Sequence, residues 1–457
     1  MNKEEKNSNK CLKCGRPTHK ESKYCIFHAS AKEKTEEEFK QALMEYIQKI
    51  KEENRDYNFI DFSFIGNMNF KEDLNINVFK NASFFGATFK ENTDFRSTIF
   101  LGNAYFTFAT FKGKADFTEA TFKISTEFKR TTFEGNSNFE DTTFKGHSTY
   151  FTNAIFEGDA NFFVAKFKGN ANFKEATFKE DAYFEEATFE GDADFRLKYF
   201  IKILNLSKIK TFSGKKLFIK LNNKGGKILF KRAYLENTYL DIELVEGVLV
   251  DFIDALLRNT KIKKKQMENH ILQEKEKEFS KAEEIYLLFK NNFHSIGRYD
   301  DESWAYKKER DMERKSNCHF RILHKWLWSC FLNAIYGYGE RPWNVAIAAG
   351  VVILFSALLF SLIGIGNPEI IELKGIAVYQ NSGNIVDLAF KGLLKNNVIR
   401  NYPDSLYFSL ITFTTLGYGD FRPLEGWGRI LAGSEAFIGA LMMALFVYTF
   451  ARRTGGR

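Results

Sequence analysis

Residues 167–195, FKGNANFKEATFKEDAYFEEATFEGDADF, place phenylalanine at 167, 173, 178, 184, 189 and 195, in steps that alternate between six and five residues. Working outward, the same spacing runs back to Phe79 and on to Phe200. Two residues before nearly every one of these stands Ala, Ser or Thr, as with Ala115 before Phe117 and Ala187 before Phe189. Neither a 3.6-residue helical period nor strict alternation gives this pattern. A short step with one large and one small inward side chain describes a chain that turns a corner after each step. Four steps then close a square coil, phenylalanine stacks on phenylalanine along the axis, and a β-solenoid results. The six-residue steps usually carry glycine two places after phenylalanine, at 102, 113, 135, 146, 158, 169 and 191. An extra corner residue with positive φ is expected there.

This pattern resembles the pentapeptide-repeat family in its Phe-rich form, and the resemblance covers roughly residues 59 to 200. It implies a right-handed quadrilateral β-helix, assigned here to residues 57–200. Some members of that family mimic duplex DNA, which requires a dominant acidic surface. Between Phe79 and Phe200 there are 15 Lys or Arg against 18 Asp or Glu. That near balance argues for a scaffold or docking surface, and nucleic acid is not the expected partner.

Ahead of the repeat, residues 1–29 contain Cys11-x2-Cys14 and Cys25-x2-His28. Two such pairs about ten residues apart suit a zinc knuckle: three thiolates and one imidazole fill a tetrahedron and leave no open position, so the expected Zn2+ is structural. His19 is a rival ligand. Direct use of this knuckle in nucleic-acid or partner binding is the alternative. Residues 30–56 read as a helix, with Phe39, Leu43, Tyr46 and Ile50 on one narrow stripe, either capping the next domain or forming a coiled coil between subunits. Beyond Phe200 the pentapeptide pattern dissolves, and residues 201–325 are assigned to a mixed and helical connector. Two helices around a turn near Gly297 are expected between about 265 and 315.

The chain has 457 residues, a net charge of +8 and five cysteines, three of them in the knuckle. That is no disulfide framework and points to a reducing compartment. The opening MNKEEKNSNK is charged and has no apolar stretch behind it, so neither a signal sequence nor an anchor is expected there.

No charged residue occurs between Arg341 and Glu369, and residues 343–365 are long enough to cross a ~30 Å hydrocarbon layer as a helix. Residues 326–340, with Trp326, Trp328 and Tyr336 close to Arg321, His324 and Lys325, suit an amphipathic helix at the membrane interface. A second span is expected over 428–450, followed by Arg452 and Arg453. Between the spans lies YPDSLYFSLITFTTLGYGDFRP. Pro403 can open a half-membrane helix over 403–414. After it, residues 415–420 have the threonine and Gly-aromatic-Gly composition of a backbone that turns its carbonyls to a central axis. Carbonyls of Thr415, Leu416, Gly417 and Tyr418, with the Thr415 hydroxyl, would replace the water shell of a dehydrated cation. Gly417 and Gly419 allow backbone angles that other residues resist. Irregular backbone at membrane depth is tolerated where protein surrounds it and it lines an ion path. The earlier Gly337-Tyr338-Gly339 lacks the threonines and the preceding helix, and is expected to be a bend.

These residues closely resemble the potassium-channel filter TxxTVGYGD, and the order helix, pore helix, filter, helix over about 343–453 resembles that of the two-span ion-channel family. The resemblance implies K+ as permeant ion and a homotetramer, since one filter strand supplies a quarter of a pore. Leu416 departs from the valine of that pattern. Its side chain is expected to pack behind the filter, and the departure leaves a poorly selective cation channel as the alternative. Thr414 and Asp420 flank the filter, Asp420 either holding its outer end or concentrating cations at the mouth. Glu435, ionisable within a span, is read as a brace behind the filter or as a cavity charge. Gly439 resembles the inner-helix hinge glycine, with close helix packing as its other reading. Met443, Val447 and Phe450 continue its face as candidates for the cavity wall and gate.

The expected protein is therefore multidomain: a cytoplasmic β-helix portion followed by an all-α two-helix channel domain, residues 341–453, with a re-entrant pore helix. It is placed in the cell (plasma) membrane with both termini cytoplasmic. With seven residues after Phe450, control is expected from the N-terminal side, through a cytoplasmic ligand or protein partner that the sequence does not name. A further alternative is an interaction protein whose β-helix and knuckle bind a macromolecule. No phosphate loop, paired nucleophile and base, or open metal site suggests an enzyme.

Overall fold

The computed structural model describes residues 10–200, 202–222, 225–316, 330, 332–339, 341–366, 398–423 and 426–455. The chain falls into two units, Met1–Glu313 and Arg314–Arg457.

In the first unit the chain winds in four-sided coils. Each side is a strand of two to five residues that pairs in parallel with its equivalents one coil before and after it. Four sheets result. Nine strands run from Tyr57–Asn58 to Tyr239–Glu243, seven from Ser63–Phe64 to Tyr199–Phe200, nine from Met68–Asn69 to Leu249–Asp251, and seven from Val78–Phe79 to Lys210–Thr211. The register places like on like: Phe111 pairs with Phe89 and Phe133, and Ala115 with Thr93 and Ser137. Rings one coil apart stack almost parallel, Phe117 on Phe139 at 4.9 Å and Phe139 on Phe162 at 4.7 Å between centroids. Rings on neighbouring sides meet edge to face, as Phe128 and Phe139 do at 5.4 Å. Both arrangements suit the aromatic quadrupole. Threonines at the small inward positions are buried without loss of a hydrogen bond, because Thr131 Oγ1 donates to Phe106 O and Thr142 Oγ1 to Phe117 O.

Two expectations need correction. The solenoid does not end at residue 200. Leu204 pairs with Ile228 and that with Val250, while Leu217 pairs with Leu240. Aliphatic side chains fill the later coils, so the winding outlasts the aromatic spacing. The second correction concerns the glycines of the six-residue steps, none of which has positive φ. The left-handed corners lie instead two places after phenylalanine in five-residue steps, and apart from Gly86 they are not glycine: Ser97, Phe108, Glu119, Arg130, Asp141, Asn153, Val164, Glu175 and Glu186. Glycine serves close approach instead. A Cβ on Gly135 would fall 2.7 Å from the backbone of Gly113, and one on Gly191 2.5 Å from that of Gly169.

An open solenoid end presents unpaired strand groups, which must be covered. At the first coil α1, Glu36–Glu52, lies across the rings, opened by a Thr35/Glu38 capping box. Phe39 meets Phe64 edge-on and Tyr46 meets Phe59. The buried stripe is Phe39, Leu43, Ile47 and Ile50. Tyr46 is only half-buried, and its hydroxyl donates to Asn58 O. At the other end, beyond the short helices α2, Lys264–Met267, and α3, Leu272–Lys275, stand α4, Phe279–Ser295, and α5, Tyr299–Ser316, with Gly297 at φ 69° between them. Phe289 of α4 covers Phe252. The Asn292 amide both donates to Thr260 O and accepts from Thr260 N, taking the place of a further strand.

The second unit contains α6, Pro342–Ile363, α7, Val398–Phe413, and α8, Trp427–Gly455. Pro342–Ile363 and Trp427–Ala451 are long and apolar enough to cross a membrane. Within this unit Trp343, Ile347, Val351 and Phe355 of α6 are 60–70% exposed, an apolar surface suited to lipid or to further subunits. The helix α7 packs against α6 through Phe360 and Phe408, and a short antiparallel pair joins Ile365–Gly366 to Arg422–Pro423. Pro403 lies inside α7 and does not open it. Gly337–Gly339 forms a single tight turn with Tyr338 at φ 56°. Arg321, His324, Lys325, Trp326 and Trp328 of the expected interfacial helix lie outside the described residues.

Candidate functional site

The helix α7 ends at Phe413, and the chain leaves it through bonds that close its last turn: Thr414 N donates to Leu410 O, Thr415 N to Thr412 O and Leu416 N to Ile411 O. The Thr414 hydroxyl donates back to Leu410 O at 2.8 Å, which holds it to its own helix. From there the backbone is left-handed at every second residue, with φ 57° at Thr415, 51° at Gly417 and 80° at Gly419. Alternation of backbone hand turns successive peptide groups toward one side, as in the nests that bind ions. Glycine accepts this conformation freely, whereas a β-branched threonine does so only under constraint. In the single chain Leu416 is 60% and Tyr418 69% exposed, so among the described residues the Leu416 side chain is only partly covered. Asp420 accepts from Phe421 N and lies beside the Tyr407 hydroxyl.

Behind this segment, α8 supplies two residues singled out by the sequence. Gly439 is buried against the end of α7, where a Cβ would lie 2.0 Å from Phe413 O. The contact is one of close packing, and α8 continues unbroken past it. Glu435 is 2% exposed, and Ser409 of α7 hydrogen-bonds both its carboxyl and, at 2.9 Å, the Ile353 carbonyl of α6. Sequence reasoning missed Ser409, although a hydroxyl on an otherwise apolar helix was available as a signal. Met443, Val447 and Phe450 are exposed on α8.

In the first unit, ligand atoms of Cys11, Cys14, Cys25 and His28 all lie within 4.8 Å of one another. Cys11 Sγ and Cys25 Sγ each stand 3.3 Å from His28 Nδ1, and Cys14 Sγ stands 3.6 Å from Cys25 Sγ. The other imidazole nitrogen, Nε2, is 3.0 Å from Ile60 O. That bond makes Nε2 the donor and leaves Nδ1 free for a metal. The donor set fits zinc: soft thiolates, one imidazole and a closed shell. His19 is not in the cluster and lies 3.7 Å from Glu38. The knuckle is also part of the cap on the first coil. Ser63 N donates to Phe27 O, while Lys34 Nζ donates to Ile26 O and Ser63 O. Burial pushes the Lys34 amine down to about 7.

Residues 371–455 match the family model described as ion channel. The C-terminal segment is an ion-channel segment. Residues 117–165 and 151–196 match pentapeptide repeats, so the solenoid belongs to that class. The ion-channel segment is that of a membrane protein with two apolar helices. Among curated relatives, the chain is 44% identical over 50 residues to potassium voltage-gated channel protein shk-1 of Caenorhabditis elegans, covering 11% of this chain and 9% of that one. It is 33% identical over 89 residues to human potassium voltage-gated channel subfamily KQT member 4, covering 16% and 13%. With protein LctB of Bacillus caldotenax it shares 37% identity over 78 residues, covering 17% and 52%. The chain thus spans about a tenth of the length of the first two relatives and about half of the third. No solved structure matches it.

Proposed function

We propose that this chain is one subunit of a homotetrameric, potassium-selective channel of the cell membrane with both termini in the cytoplasm. The observation that carries the reading is the alternating backbone of residues 415–419, held at the end of α7 between two membrane-length helices. In this reading, Thr415, Leu416, Gly417 and Tyr418 offer carbonyls that replace the hydration shell of K+. Gly419 and Asp420 close the outer end, and Thr414 and Glu435 support the segment from behind. Met443, Val447 and Phe450 line the inner path, and Gly439 sets how closely α8 approaches α7. The two voltage-gated relatives, both named for potassium, support the choice of ion.

Purified protein in liposomes should pass K+ in strong preference to Na+. Equal permeability of the two ions would replace this reading with an unselective cation pore, the outcome that Leu416 leaves open.

Cys11, Cys14, Cys25 and His28 would hold one structural Zn2+, and the N-terminal unit would regulate the pore by binding a cytoplasmic ligand or protein. To move the pore from 1% to 99% open, that partner needs about 5.5 kcal/mol of differential affinity summed over its sites. Deleting residues 1–260 tests this, because an unchanged open probability would reject regulation by that unit.

A further inference from the structure

The four ligands of the knuckle are unequally sheltered. Cys11 and Cys25 are 3% and 2% exposed, whereas Cys14 is open to solvent. Cys14 sits on a turn closed by Gly15 N donating to Cys11 O, and a Cβ on Gly15 would meet nothing within 4 Å, so a small molecule has room to approach its sulfur. The sheltered Cys25 Sγ lies 3.6 Å from that sulfur. An accessible thiol with a second one beside it is the arrangement that answers an oxidant, because the outer sulfur reacts and the inner one resolves it. As metal ligands both are thiolates, the nucleophilic form.

The same two turns fasten the cap to the first coil. On one turn Lys13, next to Cys14, pairs with Asp61 at 3.1 Å. On the other, His28 Nε2 donates to Ile60 O at 3.0 Å, and Phe27 O accepts from Ser63 N. A metal shared by Cys11, Cys14, Cys25 and His28 holds both turns as one piece and fixes the His28 ring through Nδ1. A Cys14–Cys25 bond would join the turns at one point and leave Cys11 and His28 as a pair, short of the four ligands that a structural zinc requires. The His28 ring is then free to turn away from Ile60.

We propose that Cys14 and Cys25 form a hydroperoxide-responsive thiol pair, whose oxidation releases zinc and loosens the cap where it meets residues 60–63. The Cys14 thiolate attacks one peroxide oxygen, the O–O bond breaks, hydroxide leaves, and Cys14 becomes the sulfenic acid. The Cys25 thiolate then attacks the Cys14 sulfur, forms the S–S bond and expels a second hydroxide. The two sulfurs lose two electrons in all, the peroxide gains them, and solvent protons convert both hydroxides to water. A dithiol reverses the change, as suits a reducing compartment, where disulfides are transient. The release of zinc rests on the zinc reading above; the disulfide does not.

The test uses the full chain in liposomes, with hydrogen peroxide as the probe. Peptide mapping should show Cys14 losing its free thiol first and a Cys14–Cys25 disulfide following, with zinc appearing in solution in step. The Ser63 amide should exchange about tenfold faster, the factor that one lost hydrogen bond makes, while the coils around Phe139 stay protected. Dithiothreitol with added zinc should restore both. Replacing Cys318 and Cys330 by serine should change none of this. Cys14→His supplies a nitrogen ligand in place of the reactive sulfur, and should hold zinc and keep it in peroxide; if it holds none, the mapping of wild type decides. First oxidation at Cys11, Cys318 or Cys330, a disulfide formed with zinc retained, or a disulfide with Ser63 exchange unchanged would overturn the proposal. If wild type contains no zinc, the zinc reading fails, and the Cys14–Cys25 mapping with Ser63 exchange still decides whether the pair is a switch.

Discussion

Replacing Phe139 by alanine tests whether the ring column holds the solenoid together. Phe139 is fully buried, stacked between Phe117 and Phe162, and meets Phe128 and Phe151 edge-on at 5.4 Å each. Truncating a core phenylalanine costs ~3–5 kcal/mol through lost burial and the cavity left behind. With Phe133 and Phe144 also beside it, six aromatic pairs are lost at the same time, each worth ~0.5–1.5 kcal/mol beyond area. The rigid neighbours above and below cannot collapse into the gap without breaking their own register. The cost should therefore reach the top of that range, about 5 kcal/mol. Leucine at the same site should cost about 1.5 kcal/mol or less, because the later coils already accept Leu204, Leu206 and Ile209 in fully buried positions. Solenoid coils interact mainly with their neighbours, so the loss should be greatest locally. Amide hydrogen exchange on the full-length protein should show protection falling first in the coils that hold Phe117 and Phe162. Alanine and leucine variants of equal stability, or an alanine cost below about 2 kcal/mol, would refute the ring column as the main source of cohesion.

Gly191→Ala places a methyl 2.5 Å from the Gly169 backbone; a cost of ~1–3 kcal/mol from overpacking is expected in urea unfolding, whereas Gly214→Ala meets nothing within 4 Å and acts only through its positive φ. Zinc should bind at one ion per chain by elemental analysis, and chelation or Cys25→Ser should deprotect the first coil in hydrogen exchange while leaving the coils around Phe139 protected. Burial lowers Lys34 to about 7 in the folded protein, so between that value and its ordinary one near 10.5 the unfolded chain binds more protons. Stability should rise with pH through this window, with a slope of at most about 1.4 kcal/mol per pH unit. Denaturation midpoints measured from pH 7 to 10 should lose that slope in Lys34→Met.

The winding was legible because phenylalanine marks each inward step and because five and six residues fit neither a helix nor a flat strand. It stopped being legible at Phe200, where leucine, isoleucine and valine take over the same positions among lysines and no longer stand out from an ordinary apolar mixture. The glycines were visible but their role was not. A residue without a side chain serves positive φ or close approach equally well, and only the neighbouring coil decides between them. Left-handed corners at Phe108 and Val164 left no mark in the sequence, since neither residue type favours that backbone. In the second unit, TTLGYGD and its flanking apolar stretches pointed to the ion-channel segment directly. The contact of Ser409 with Glu435 depends on which faces of α7 and α8 meet, and no spacing along the chain encodes that.

Because the coils between Ala82 and Thr143 repeat after 22 residues with their register intact, this part of the solenoid behaves as a ruler with fixed graduations. Strands in a sheet lie ~4.8 Å apart, so removing residues 118–139 would shorten it by one graduation and still deliver Glu140 from beneath a phenylalanine. Removing half a coil, as with the 11 residues from Thr118 to Phe128, would keep phenylalanine in step, because the six-plus-five spacing repeats twice per coil, but would rotate one cap half a turn relative to the other. Length in such a molecule changes in whole coils if the caps are to keep their facing, and any task that depends on reach at a fixed facing is adjustable only in those increments.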